Sequence, residues 1–241
     1  MNIRNIIINS ALRFPQETAL VYKGQRITYQ ELDIAVSTVA ANFSNFGIRT
    51  GDRVALCLRN SLEFVYTVFA LAQIGAVAVP INFFLSSEEI AYICAHSQAR
   101  ALITQTQFLK TVQTAIKKAA CVQTLWCAGD CPSEPGSEGI KPFAELLEGA
   151  SPPSKPLISS EELILLLYTS GTTGKPKGVM LTHKNLLTNA QACQKALTLS
   201  VRDRFICLLP LFHVFAWTAN MVLPLLMGSK IVLIEIGRAH V

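Results

Sequence analysis

From Asp52 onward the apolar positions fall into two kinds of run. DRVALCL (52–58) is continuous and short, the pattern of a strand covered on both faces. Residues 61–74 then recur with helical spacing, Leu62, Val65, Phe69 and Ala72 sharing one face. Asn60 and Glu63 have the spacing of a capping box for this helix, and Gly75 is placed to end it. AVAV (76–79) reads as a buried strand stopped by Pro80. Ser86 and Glu89 form a second capping box, for a helix over 87–96. ARALIT (99–104) is a strand, 106–119 a helix and QTLWCAG (123–129) another strand. This alternation predicts a parallel sheet with helices on both faces.

The pattern breaks at 131–162, which holds six of the chain's eleven prolines and reads as an internal linker or surface excursion; only PFAELLEG looks helical there. Order resumes at LILLLY (163–168), with GVMLTH (178–183) as its hairpin partner. Thr182 is placed to cap a helix through KNLLTNAQACQKAL, where Leu186, Ala190, Cys193 and Leu197 share a face. RFICLL (204–209), a helix from about 216, Gly228 and KIVLIE (230–235) make one more βαβ-like unit. No internal repeat is visible. The last six residues, IGRAHV (236–241), continue no pattern; they match the translation of a common sequencing-adapter stretch and are read as a non-native tail, the alternative being a natural one.

Composition narrows the classes. The chain has 241 residues, 51% of them apolar, enough for one large core or two smaller ones. The net charge of +5 is scattered rather than clustered, which argues against a nucleic-acid partner. Seven cysteines (57, 94, 121, 127, 131, 193 and 207) form no CxxC and have no histidine near the 121/127/131 group. Free thiols in a reducing compartment are expected, with zinc binding or disulfides as the alternative. The N-terminus lacks a signal-cleavage pattern. Phe64–Leu85 and Phe205–Met227 each lack Asp, Glu, Lys and Arg over more than 20 residues, so a two-span membrane protein is a rival reading. Pro210, His213, Asn220 and Pro224 sit poorly in hydrocarbon, and helix plus strand is the better reading of both segments.

The chemistry is concentrated in TSGTTGKPK (169–177), nine residues with no large apolar side chain between two apolar strands. Gly171 and Gly174 let backbone N–H groups converge on one point. Ser170, Thr172 and Thr173 add hydroxyls, Lys175 and Lys177 add charge, and Pro176 stiffens the stretch between them. Such a loop suits phosphate, although a Gly/Ser/Thr-rich hairpin is more often a mobile turn. It is not a Walker A loop: the glycines are three apart, and Lys175 is followed by proline. His213, alone on an apolar background, is by itself more often a satisfied core histidine.

The string YTSGTTGKPKG (168–178) resembles, without mismatch, the signature of the adenylate-forming superfamily, which includes acyl-CoA synthetases, aryl-CoA ligases, luciferases and peptide-synthetase adenylation domains. ITYQELD, GDRVALCLRNSLEFV, GAVAVPIN, GVMLTHKNL and LLPLFHVFAW look like that family's N-terminal domain in its usual order. The resemblance covers residues 5–235 and implies a layered α/β/α fold with largely parallel sheets, an incomplete N-terminal domain of such an enzyme. It also implies a two-step ligase: a carboxylate attacks the α-phosphate of ATP, pyrophosphate leaves, and the thiol of CoA attacks the acyl-adenylate.

By motif position, Thr169, Ser170, Gly171, Thr172, Thr173, Gly174, Lys175 and Lys177 would hold the ATP phosphates. Thr172 would touch Mg²⁺, and Lys177 would be the main pyrophosphate partner. His213 and Trp217 would line the acyl pocket near the CoA channel. The Ala216-Trp217 pair resembles a fatty-acyl-CoA synthetase subgroup in which the Trp gates the acyl tunnel; plain packing predicts the same residue. The implied enzyme is a long- or medium-chain fatty-acid–CoA ligase, cytoplasmic with peripheral contact at a membrane. No YGxTE-like segment follows, so the expectation is that this chain alone does not turn over. A non-catalytic remnant or binding module, and another carboxylate-activating member of the superfamily, are the alternatives.

Overall fold

A computed structural model describes residues 2–130, 139–149, 157–169 and 176–235. Among the described residues, two sheets carry the fold. The larger has seven strands: β3 (Arg53–Cys57), β4 (Val77–Pro80), β5 (Ala99–Gln105), β6 (Thr124–Ala128), β7 (Ile140–Pro142), β8 (Leu163–Thr169) and β9 (Lys177–Thr182). Their order is β7-β6-β5-β3-β4-β8-β9. All neighbours are parallel except the edge pair β8–β9. The smaller sheet has the order β10-β11-β1-β2, with β1 (Thr18–Tyr22), β2 (Gln25–Thr28), β10 (Arg204–Cys207) and β11 (Lys230–Leu233). It too is parallel apart from one antiparallel edge, β1–β2. The expected layered, largely parallel α/β class is the observed one. The unit around β10 and β11 belongs to the second sheet, with β1 from the N-terminus as its third strand.

Helices α1 (Arg4–Arg13), α2 (Tyr29–Asn45), α3 (Leu62–Ile74), α4 (Ser87–Ser97), α5 (Leu109–Ile116) and α6 (His183–Ala196) fill the layers. α3 is buried at every position but Glu63, as a helix apolar on all sides must be. Its residues share one core with strands of both sheets and with α1, α2 and α6. The other face of the seven-stranded sheet forms a second core with α4 and α5. Helix ends follow local chemistry. Ser86 with Glu89, and Thr182 with Asn185, close complete capping boxes. Gly75 ends α3 in the left-handed region (φ 74°), where a Cβ would also meet Ile158 at 2.6 Å, so glycine is needed twice over.

Several expected boundaries shift. The cap of α3 is Ser61, whose side chain accepts from Phe64 N at 3.3 Å; Asn60 and Glu63 form no box. β10 ends at Cys207 instead of 209, and the backbone beyond it is held by Asn60, which donates to Leu209 O and accepts from Leu211 N. The expected helix over 106–119 is a short 3₁₀ turn, Thr106–Phe108, followed by α5. The stripe on α6 fades toward its end, where Leu197 is exposed. Within 139–149 a short strand precedes the 3₁₀ turn Phe143–Leu147 that PFAELLEG suggested.

Both suspected spans resolve into several short elements. Phe64–Leu85 is most of α3, then β4 and a turn. Phe205–Met227 is β10, a turn, and a broken helix made of α7 (Val214–Ala216), a π-helical stretch (Trp217–Val222) and α8 (Leu223–Met227). Among the described residues no helix is long and apolar enough to cross a membrane. Cys57, Cys94, Cys121, Cys193 and Cys207 are free thiols. Among the described residues no group of three or more His, Cys, Asp or Glu side chains could hold a metal ion. Residues 236–241 and most of the proline-rich stretch lie outside the described residues.

Candidate phosphate hairpin and the segment beside it

β8 runs parallel to β4, so the turn after it emerges at the carboxyl edge of the parallel strands, the edge where open α/β sheets place their ligands. The turn's two legs are fixed by an antiparallel ladder whose last pair is Thr169 with Lys177. Residues directly opposite in such a ladder point to the same face. Thr169 and Lys177 are both exposed there, and Lys177 makes no ion pair among the described residues. Among the described residues nothing neutralises its ammonium. Ser170, Gly171, Thr172, Thr173, Gly174 and Lys175 lie outside the described residues. A strand leaves the loop, whereas a P-loop leads into a helix, so the hairpin departs from a Walker A loop in topology as well as in spacing.

The opposite face of the same ladder carries Tyr168 and Gly178. Burial pushes the Tyr168 phenol up to about 12, so it stays protonated at neutral pH. Its oxygen lies 2.7 Å from His96 Nδ1 on α4.

The second element is the segment between β10 and α7. Asn60, 3% exposed, holds it from below. Its Nδ2 donates to the carbonyls of Cys207 (3.2 Å) and Leu209 (3.0 Å), and its Oδ1 accepts from Leu211 N (2.8 Å). Trp217 is fully buried, donates from Nε1 to Leu211 O and meets Phe64 edge-on at 6.1 Å. Trp217 is thus a packed, hydrogen-bonded anchor. His213 is exposed, at the N-terminal end of α7, with its ring tilted against Phe212 at 4.5 Å. It is therefore not the satisfied core histidine that composition favours; its imidazole faces outward.

Phe212 joins this segment to the carboxyl edge of the large sheet. It packs edge-on against Phe83, which follows β4, at 5.2 Å. Phe83 in turn stacks on Phe108, which follows β5, at 5.1 Å. Thus Phe212 and its neighbour His213 are held at the exit of β4, the strand next to β8. The sequence reading missed Asn60 in this role because Asn-x-x-Glu matches a capping box. The signal that distinguishes the two is Ser61, an equally good cap one residue later.

Two largely parallel sheets with a hairpin at the carboxyl edge of the larger one make the α/β frame in which ligands sit at strand ends. The sequence pattern of the family described as AMP-binding enzyme matches residues 8–240, and the chain belongs to that family. Among curated relatives, the crotonobetaine/carnitine–CoA ligase of Escherichia coli is 34% identical over 229 residues, covering 92% of this chain and 44% of the relative. Among solved structures, the anthranilate CoA ligase AuaEII in complex with anthranoyl-AMP superposes with a TM-score of 0.92 at 27% identity, over 98% of this chain and 45% of that one. The N-terminal domain of FACL13 from Mycobacterium tuberculosis superposes at 0.85 with 28% identity, over 98% and 57%. The chain thus spans a little under half the length of the curated relative.

Proposed function

We infer that this chain carries the phosphate-gripping part of an ATP-dependent acyl-CoA ligase. The observation that supports this most is the exposed Lys177 paired with Thr169 at the mouth of the TSGTTGKPK turn, on the carboxyl edge of the sheet. In the reaction a carboxylate oxygen bonds to the α-phosphorus of ATP and the bond to the bridging oxygen of pyrophosphate breaks. The CoA sulfur then bonds to the acyl carbon, and AMP leaves. The first step builds negative charge on the departing pyrophosphate. An ammonium and backbone N–H groups fixed beforehand at that place lower the barrier, since they need no reorganisation as the charge forms. Lys175 and Lys177 supply the ammonium groups in this reading; Ser170 to Gly174 supply hydroxyls and N–H donors.

Mg²⁺ neutralises part of the triphosphate charge when bound. The described residues offer no cluster of ligands for it. Thr172 is the residue of the turn proposed to meet it, and no step is derived through the ion.

Fatty acids are the proposed carboxylates. The apolar segment Val214–Met227 and the phenylalanine cluster at the edge support an aliphatic or aromatic tail over a charged one. His213 and Trp217 are the proposed pocket residues. The 241-residue chain alone is proposed to bind without completing ligation. A panel of fatty, aryl and carnitine-like acids, assayed for acyl-dependent pyrophosphate exchange with the gene's full product and with the 241-residue chain, tests both statements. Fatty acids should support exchange in the full product only. Exchange by the short chain, or exclusive use of aryl or betaine acids, contradicts the corresponding statement.

A further inference from the structure

Tyr92 and His96 stand one turn apart on α4, their rings stacked at 5.5 Å. Each touches a different leg of the hairpin. His96 Nδ1 meets the Tyr168 hydroxyl at 2.7 Å, and the two rings lie edge to face at 5.7 Å. The protonated phenol can donate along this contact when Nδ1 carries no proton. On the other leg, the Tyr92 hydroxyl donates to the carbonyl of Pro176 at 3.4 Å.

The ladder stops short of the turn. Its last pair is Thr169 with Lys177, and Pro176, one residue further out, has no N–H to offer. Tyr92 supplies a tie there through the carbonyl. Gly178 makes room on the same face: a Cβ at that position would come within 3.4 Å of the Tyr168 ring and 3.0 Å of Leu166.

We propose that Tyr92, His96 and Tyr168 are positioning residues that set the distance between the two legs of the phosphate turn, so that α4 presets its mouth for a pyrophosphate group. This rests on the phosphate-binding reading of the turn. A turn whose legs are already spaced for the anion loses less freedom on binding, and the ligand binds more tightly by that amount.

The test uses the whole 241-residue chain, with inorganic pyrophosphate and Mg²⁺ as the probe. Amide hydrogen exchange is followed at residues 177–179, and binding by calorimetry. His96→Ala, Tyr92→Phe and Tyr168→Phe should each speed exchange at these amides and raise the pyrophosphate dissociation constant about three- to tenfold, the worth of one hydrogen bond. The His96→Ala/Tyr168→Phe double variant should do no more than the larger single one. His96→Asn, whose amide oxygen stands where Nδ1 stood, should restore most of the affinity.

Unchanged exchange in the single variants, with normal pyrophosphate binding by the wild type, overturns the brace and leaves the phosphate reading standing. Faster exchange with an unchanged dissociation constant also overturns it, reducing the contacts to a structural tie. A wild-type chain that does not bind pyrophosphate overturns the phosphate reading and the proposal together.

Discussion

The hairpin legs and the segment after β10 both present an exposed polar residue beside the carboxyl edge of the large sheet, yet they are held in opposite ways. The segment carrying His213 is fixed from inside, by Asn60 and Trp217, both buried and hydrogen-bonded to its backbone. The hairpin carrying Lys177 is fixed by its own ladder and tied from outside by His96, itself exposed, and by Tyr92, which is half-buried. Buried polar ties are expensive to break, because the groups left behind cannot turn to water. Exposed ties are cheap, because water replaces them. The first region should therefore report on the stability of the whole fold, and the second on local order and ligand binding with little effect on stability.

The sharpest way to break this contrast is Asn60→Leu. It removes Asn60's bonds to the carbonyls of Cys207 and Leu209 and leaves the buried Leu211 N without a partner, while Cys207 O keeps its bond from Ile234 N, a loss of roughly 3 kcal/mol. Urea denaturation should show that loss; a change within about 0.5 kcal/mol would put Asn60 in the same category as a surface residue.

His183 offers a test of nearly the same size on the underside of the hairpin. It begins α6 directly after β9, is fully buried, and accepts from Ile3 N through Nδ1 at 3.3 Å. Burial first, and the positive chain terminus second, push its pKa down to about 4 from an ordinary 6.5. The unfolded chain therefore takes up the proton first. Stability from the neutral form is complete above about pH 6.5 and declines as pH falls toward 4, by about 3 kcal/mol at most. Denaturation midpoints measured across that window should fall in the wild type and fall less in His183→Asn.

Trp217→Phe keeps most of the ring and loses the bond to Leu211 O, so a smaller cost, about 1–2 kcal/mol by the same denaturation assay, is expected. Smallest of all, His96→Ala should shift global stability by under about 0.5 kcal/mol. A large shift there would erase the distinction between the two regions.

Much of this was legible in the chain. The helix of α3 with its Gly75 stop, the boxes at Ser86 and Thr182, and the β8–β9 hairpin follow from short-range spacing, and short-range spacing is what a sequence displays directly. The strand pattern could not show that β10 and β11 leave the large sheet to join β1, because both sheets are built from the same kind of apolar run. The π-helical stretch at Trp217–Val222 reads as an ordinary apolar helix, since one extra residue per turn is invisible in so short a run. Asn60 was misread because its partners are some 150 residues away, while a familiar motif lies three residues away. Tyr92 and His96 had no signal at all: their roles exist only once α4 is packed beside the hairpin.

The two regions also differ in what surrounds them. β9 and β10 are the outer strands of their sheets, and Met180 and Ile206 on them are 67% and 61% exposed, whereas β3, β4 and β5 between them expose no large apolar side chain. The hairpin and the His213 segment thus stand at the open margins of a closed interior. That arrangement lets side chains such as Lys177 meet a ligand without disturbing the core.

Everything functional here depends on Lys177 meeting phosphate at the mouth of the turn. Calorimetric titration of the 241-residue chain with inorganic pyrophosphate and Mg²⁺, wild type against Lys177→Ala, tests it most directly. Loss of one charge-assisted bond should weaken binding roughly ten- to a hundredfold with the fold intact. Equal affinity in the two proteins would contradict the account.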